Sequence, residues 1–296
     1  MKLIAIMPAR NESWCLGLSA RAALMWCDEL LVLDHASTDD TAGICGDLRH
    51  QYRDRFHYLH DPDPTWREMA HRQYLLNAAR QRGTTHIAMI DADEVLSAAA
   101  LPHIRKWIEV MPGGEVLTLP WLCLRDDIDT VMMTGLWGNA TVSVAFVDDP
   151  VWHWAPQGPH AYDFHHRHPM GRHYVGYWPR YPGFSDDSRS VGLMHLQFVS
   201  MRRLFAKQAL YQATEVLRWP GRKPVDAVRE MYAKTVREAM SARIEAKPHD
   251  WLWGPHEQLL RYLNVDAEPW QEAELRRLVA EHGRDKFKGL DFFGVA

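Results

Sequence analysis

The sequence predicts an α/β fold: a mostly parallel central sheet flanked by helices, followed by a helical C-terminal region. Three observations predict it. Short, almost wholly apolar runs recur through the first hundred residues, helical patterns separate them, and several runs end in polar, carboxylate-rich segments. Apolar runs without alternation are the mark of strands buried on both faces. Leu3 to Met7 is the first of these. Leu16, Ala20, Ala23, Leu24 and Cys27 then share one helical face, with Asn11 or Ser13 as the cap. Glu29 to Asp34 is a second strand, and Ser37-Thr38-Asp39-Asp40-Thr41 opens a helix to about Tyr52. Phe56 to His60 is a third strand, Glu68 to Arg82 a third helix, and His86 to Ile90 a fourth strand ending in Asp91-Ala92-Asp93-Glu94. Strand–helix repeats of this kind form right-handed crossovers, and ligands bind such sheets beyond the carboxyl ends of the strands. Pro8–Glu12, Asp34–Asp40 and Asp91–Glu94 should therefore converge on one rim.

Farther along, Val116 to Leu119 and Thr141 to Val147 read as strands, and a loop-rich stretch continues from there to about Val191. Val199 to Trp219 and Val225 to Ala246 read as helices separated by Pro220-Gly221, and Glu272 to His282 as a last short helix. The expected organisation is one domain over 1–198, in two halves at 1–100 and 101–198. A helical region at 199–296 would pack on it.

Apolar residues are 47% and charged residues 24% of the 296, which excludes disordered and fibrous classes. Lys plus Arg total 34 against 38 Asp plus Glu, a net charge of -4, so the chain has no bulk positive field for nucleic acid or anionic lipid. No apolar run is long enough for a transmembrane segment, and Met1–Met7 reads as a buried strand rather than a signal peptide. Cys15, Cys27, Cys45 and Cys123 are scattered without a C-x-x-C pair, the pattern of reduced thiols in a cytoplasmic protein.

The strongest chemical signal is Asp91-Ala92-Asp93-Glu94 after an apolar strand. Carboxylates at i and i+2 on a strand end point to the same side. Two such oxygens suit Mn²⁺ or Mg²⁺, which also take ligands from a substrate diphosphate. The competing reading is a solvated turn with helix-capping acids, Glu94 leading into Val95-Leu96-Ser97.

Three segments carry a family resemblance: Pro8-Ala9-Arg10-Asn11-Glu12, the strand ending in Asp34-His35-Ala36-Ser37-Thr38-Asp39-Asp40-Thr41, and Asp91-Ala92-Asp93-Glu94. In order and spacing the set resembles the family 2 glycosyltransferases of the GT-A fold, over roughly residues 1–100. His195-Leu196-Gln197-Phe198 with Arg202, Arg203 and Lys207 resembles, more loosely, the H-Y-x-F…K stretch of bacterial and phage members. The resemblance implies that Pro8, Arg10 and Glu12 lie along the nucleotide and that Asp34 recognises its base or ribose. Arg72 would face the nucleotide, Asp91 would sit near ribose and metal, Asp93 would ligate the metal, and His195 would be a further ligand. For His195 the alternative is a histidine packed among aromatics at a helix start; for Arg202, Arg203 and Lys207, assigned to the diphosphate, it is a solvated helix face.

Sugar transfer to a hydroxyl also needs a base, and a carboxylate within reach serves inverting enzymes. Asp126, Asp127, Asp148, Asp149, Asp163, Asp186 and Asp187 are available. Asp127 and Asp163 are the two selected, since the family's E-D base motif is not recognisable. His153, His160, His165, His166, His168 and His173 bring no thiolate partners for structural zinc. With Trp152, Trp154 and Trp178 they read better as an acceptor-binding loop, because aromatic faces stack on sugar rings. The expected activity is metal-dependent, inverting transfer from a nucleotide-sugar donor, a UDP-sugar favoured, to a glycan, small molecule or modified nucleic acid. A modified base of phage DNA is one alternative acceptor, and a non-catalytic nucleotide- or glycan-binding domain is the alternative class. A nucleotidyltransferase would want a glycine-rich loop where Pro8–Glu12 stands.

Overall fold

The computed structural model describes residues 1–155, 169–170, 175–177, 189 and 191–295. The chain divides into two compact units: 1–121, 141–194 and 248–264 form the first, and 122–140, 195–247 and 265–296 the second. No helix among the described residues is long and apolar enough to cross a membrane.

The elements run β1 (Leu3–Ala9), α1 (Leu16–Ala23), β2 (Glu29–His35), α2 (Thr41–Tyr52), β3 (Phe56–Asp61), α3 (Glu68–Gln81), β4 (His86–Met89), β5 (Glu94–Leu96) and α4 (Leu101–Glu109). Then come β6 (Glu115–Arg125), β7 (Thr130–Met132), α5 (Gly135–Gly138), β8 (Thr141–Val147), β9 (Val175–Tyr177) and β10 (Leu193–Phe198). The chain ends with α6 (Met201–Arg218), α7 (Val225–Ser241), β11 (Ile244–Ala246), α8 (His249–Leu252) and α9 (Trp270–His282).

In the first unit β3, β2, β1 and β4 pair in parallel, and β8 adds to β4 antiparallel, with β6 antiparallel to β8 in turn. The pleat splits each central strand between two cores, because successive side chains point to opposite faces. Leu3, Ala5 and Met7 of β1, with Leu30 and Val32 of β2, pack against Leu16 and Ala20 of α1 and Ile104 and Ile108 of α4. Ile4, Ile6, Leu31 and Leu33 pack on the other face against Met69, Leu75 and Leu76 of α3. Covered on both faces, these strands have no polar alternation to show. The mixed, mostly parallel sheet with flanking helices is the α/β architecture that the sequence predicts. In the second unit α6 and α9 share a core of Ala209, Leu210, Ala213, Leu275 and Leu278, and β7 pairs antiparallel with β11.

Several local expectations are corrected. The fourth strand stops at Met89, and Asp91 to Asp93 form a turn, so alternation along a strand does not orient the two carboxylates. The helix expected to reach Ala246 ends at Ser241 because Ala242 turns extended, and 244–246 becomes a strand. Neither Asn11 nor Ser13 caps α1; the residue preceding it is Cys15, which makes no side-chain cap bond. Trp152 and Trp154 do not offer stacking faces. They are 0% and 3% exposed and pack on Phe146, with ring centroids 5.7 and 6.2 Å away. All four cysteines are buried thiols outside any disulfide, as expected.

Candidate active site

The loops after β1 and β2 are laced into one body. Asn11 sits at φ 54°, a left-handed conformation that asparagine tolerates better than most residues. That places its Oδ1 to accept from the amides of Thr38 (2.6 Å) and Asp39 (3.3 Å). In return Ser37 Oγ accepts from Asn11 N–H, Thr41 Oγ1 from Glu12 N–H, and Asp39 Oδ2 from Ser13 N–H, at 2.8, 3.1 and 3.0 Å. The polar residues of both motifs thus satisfy backbone donors that helices and strands leave over.

Asp34, the penultimate residue of β2, is 1% exposed. Its Oδ1 accepts from Ser37 N–H at 3.0 Å and its Oδ2 from Tyr58 Oη–H at 2.8 Å. Burial, together with the Asp34 carboxylate, pushes the Tyr58 hydroxyl well above its usual range, so it stays a donor. Arg10 donates to the Pro64 carbonyl at 2.7 Å, and Glu12 accepts from Trp14 Nε1–H at 2.6 Å. Pro8 lies in β1 opposite Leu33.

The Asp91–Asp93 turn comes after β4, which Ile90 N–H ties back to Ile6 O at 3.2 Å. Arg72 of α3 is 3% exposed and reaches Asp91 Oδ1 at 2.9 Å and Glu68 Oε1 at 2.8 Å. Burial works against its charge, but the two carboxylates outweigh it and raise its pKa, so the guanidinium stays protonated. Asp91 remains about a third open, at 31% of its side chain, whereas Asp93 is buried at 9%. Among the described residues, no group of three or more His, Cys, Asp or Glu is arranged to hold a metal ion. The donor set of the turn is two carboxylates, Asp91 partly exposed and Asp93 buried. That suits Mg²⁺ or Mn²⁺, which keep water or take phosphate oxygens for the rest of their shell.

Sequence reasoning missed a group beside Asp34. His35 is buried at the end of β2, with its ring centroid 4.3 Å from that of His71 on α3. Asp61, ending β3, pairs with His71 Nε2 and Arg67 Nη2, each at 3.0 Å. Burial, aided by the positive charge of His71 and Arg10, brings His35 down to about 4. The available signal was the polar ending of β2 and β3, Asp34-His35 and His60-Asp61.

Asp127, His195 and Lys207 belong to the second unit. His195 lies at 4% exposure inside β10 rather than at a helix start, with its ring edge-on to Phe198 at 5.7 Å. Lys207 donates to Gln197 Oε1 at 2.7 Å, Arg203 to the Ala267 carbonyl at 2.7 Å, and half-exposed Arg202 forks onto Glu272 at 2.6 and 2.9 Å. Asp127 accepts from the amides of Asp129 and Thr130 and the Thr130 hydroxyl, at 2.8, 2.7 and 2.9 Å. Of the other carboxylates, Asp148 pairs with Arg80 and Asp126 with Arg125. Asp163, Asp186, Asp187, Trp178 and all the clustered histidines except His153 lie outside the described residues. His153 is exposed and bonds the Val151 carbonyl.

Residues 4–119 match the model of Glycosyl transferase family 2. Among solved structures the chain is similar to Staphylococcus aureus TarS 1-349 in complex with UDP, at 18% identity and TM-score 0.34 over 44% of this chain and 37% of that one. It is similar to S. aureus TarS at 12% identity and TM-score 0.42, covering 97% of this chain and 54% of that one. A third is mannosyltransferase PcManGT from Pyrobaculum calidifontis in complex with GDP-Man and Mn²⁺, at 13% and 0.42, covering 96% and 88%. The chain thus spans 37% and 54% of the first two. No curated protein matches it.

Proposed function

We propose that the chain, whose residues 4–119 match the model of Glycosyl transferase family 2, is a metal-dependent, inverting glycosyltransferase of the GT-A fold using a nucleotide-sugar donor, a UDP-sugar favoured. The observation that carries this reading is the carboxylate turn after β4, with Asp91 held by the buried guanidinium of Arg72 at 2.9 Å. In it residues 1–100 hold the donor and 101–198 the acceptor side.

Pro8, Arg10 and Glu12 line the nucleotide and Asp34 reads its base or ribose. Asp34 has both oxygens already in use, so it reads by its remaining lone pairs and by the fixed hydroxyl of Tyr58. Arg72 acts on the nucleotide through Asp91, whose orientation it sets. Asp91 and Asp93 are the residues that would hold Mn²⁺ or Mg²⁺. The ion would supply Lewis-acid stabilisation to the departing diphosphate. Lys207 adds positive charge for the same leaving group. Asp127 or Asp163 takes the proton of the acceptor hydroxyl, which belongs to a glycan, a small molecule or a modified nucleic acid.

The test is a thermal-shift panel of UDP-, GDP-, CMP- and dTDP-sugars with Mn²⁺ or with chelator, on wild type and Asp93→Ala. A ligand that binds only the folded state at about 100 times its Kd adds about 2.7 kcal/mol. One nucleotide class should shift the wild type only with Mn²⁺ and should not shift Asp93→Ala. A shift that survives chelator and the substitution refutes the metal assignment; no shift with any nucleotide refutes the donor reading.

A further inference from the structure

We infer that Glu94 is a positioning residue for the Asp91–Asp93 turn, an inference that rests on the reading of that turn as the metal-binding site. Glu94 is 0% exposed, yet it is not a spare core carboxylate. Its Oε2 accepts from Asp91 N–H at 2.8 Å, and its Oε1 accepts from Trp121 Nε1–H, on β6, at 2.9 Å. Its own N–H donates back to Asp91 O at 3.0 Å, so the first and last residues of the Asp91–Glu94 turn are bonded twice. The middle of the turn is held from the residue that precedes α1, where Cys15 Sγ donates to Ala92 O at 3.1 Å. Together with Arg72 on the Asp91 side chain, the turn is anchored to the start of α1, to α3 and to β6.

A buried carboxylate with two N–H donors facing it is satisfied only because it presents two acceptor oxygens. Trp121 offers a donor and no acceptor, and so does the amide of Asp91. A glutamine at this position has the same shape but one acceptor, so its NH₂ must face one of the two N–H groups. One bond breaks, and the turn loses either its tie to Asp91 or its tie to β6. The consequence is a misplaced pair of metal-facing carboxylates rather than a missing one.

The experiment titrates Mn²⁺ by thermal shift at fixed UDP and, separately, fixed GDP, and reads the Mn²⁺ concentration at half-maximal shift. It compares wild type with Asp93→Ala, Glu94→Gln and Trp121→Phe. Removing a group that orients a metal ligand typically weakens binding 10- to 100-fold, so Glu94→Gln should raise the half-point by about 10-fold or more. Trp121→Phe removes one neutral hydrogen bond and should raise it about threefold. A purely structural role would lower the melting temperature without Mn²⁺ and leave the half-point where it is. That result for Glu94→Gln overturns the inference. If Glu94→Gln does not fold, an unchanged half-point in Trp121→Phe overturns it instead. A wild type with no Mn²⁺ response, or Asp93→Ala titrating like wild type, removes the metal site itself and the inference with it. That outcome is distinct from Glu94→Gln alone behaving as wild type.

Discussion

Replacing Arg72 with methionine takes the guanidinium away from two carboxylates at once. Arg72 and Glu68 are both nearly closed to solvent, at 3% and 8%, whereas the Asp91 side chain is 31% exposed. Breaking a buried ion pair by removing one partner typically destabilises by about 3–5 kcal/mol, and the wetter Asp91 arm adds little. The lower end, about 3 kcal/mol, is therefore expected. At roughly 2–4 °C per kcal/mol for a chain of this size class, the melting temperature should fall by about 6–12 °C. The double variant Glu68→Leu/Arg72→Met removes both buried charges and should recover at least half of the loss, because apolar replacements of buried pairs are often neutral or better. Thermal unfolding and urea midpoints, monitored by tryptophan fluorescence, measure both variants. A loss under about 1 kcal/mol for the single variant, or a double variant no more stable than the single, would refute the argument that this is a closed, mutually dependent pair.

Trp152→Ala should destabilise by about 3–5 kcal/mol, since the side chain is 0% exposed against Phe146. A loss of activity with full stability would instead return Trp152 to the substrate surface. Ala36 holds φ 47°, so Ala36→Gly should gain up to about 1 kcal/mol in denaturant midpoint, while Asn11→Ala should lose about 1–2 kcal/mol with its acceptor and its tolerated conformation. Burial holds the imidazole of His256 at about 4 against a hydrogen bond to the Leu96 carbonyl, and His35 stands at about 4 as well. Both are neutral when folded and take up a proton on unfolding below the ordinary value of 6.5, so stability present above pH 6.5 is lost as pH falls towards 4. His256→Gln keeps a donor for Leu96 without titrating, and its melting temperature should fall less steeply than wild type across that window. Equal slopes would count against the burial of this imidazole.

The legible part of the fold was the part with a single physical cause. β1, β2 and β4 are covered on both faces, so their residues must all be apolar, and their polar ends then mark the rim. α4 is marked in the sequence by the helical spacing of Leu101, Ile104, Trp107 and Ile108 and by Pro102 in its first turn, but its cap position is Ala100, which makes no side-chain cap bond. β10 was unreadable as a strand because His195 and Gln197 interrupt an otherwise apolar run, though both are buried. Trp152 and Trp154 were assigned to a surface because their neighbours are prolines, glycines and histidines. Their spacing of two was the better clue, since in extended chain it turns both rings to the same side. At the site, the motif residues were legible by type, but their partners were not. Arg72 to Asp91, Tyr58 to Asp34 and Cys15 to Ala92 are contacts across 19, 24 and 77 positions of chain.

The cross-bonding of the β1 and β2 loops bears on how these segments can be exchanged between related chains. Asn11 takes its partners from 38 and 39, and residues 11, 12 and 13 give theirs to 37, 41 and 39. A graft of either segment alone from a related chain would arrive without its counterpart and strand several amides. The transplantable cassette is the pair, 8–13 together with 34–41, and chimeras should be cut so that both travel from one parent.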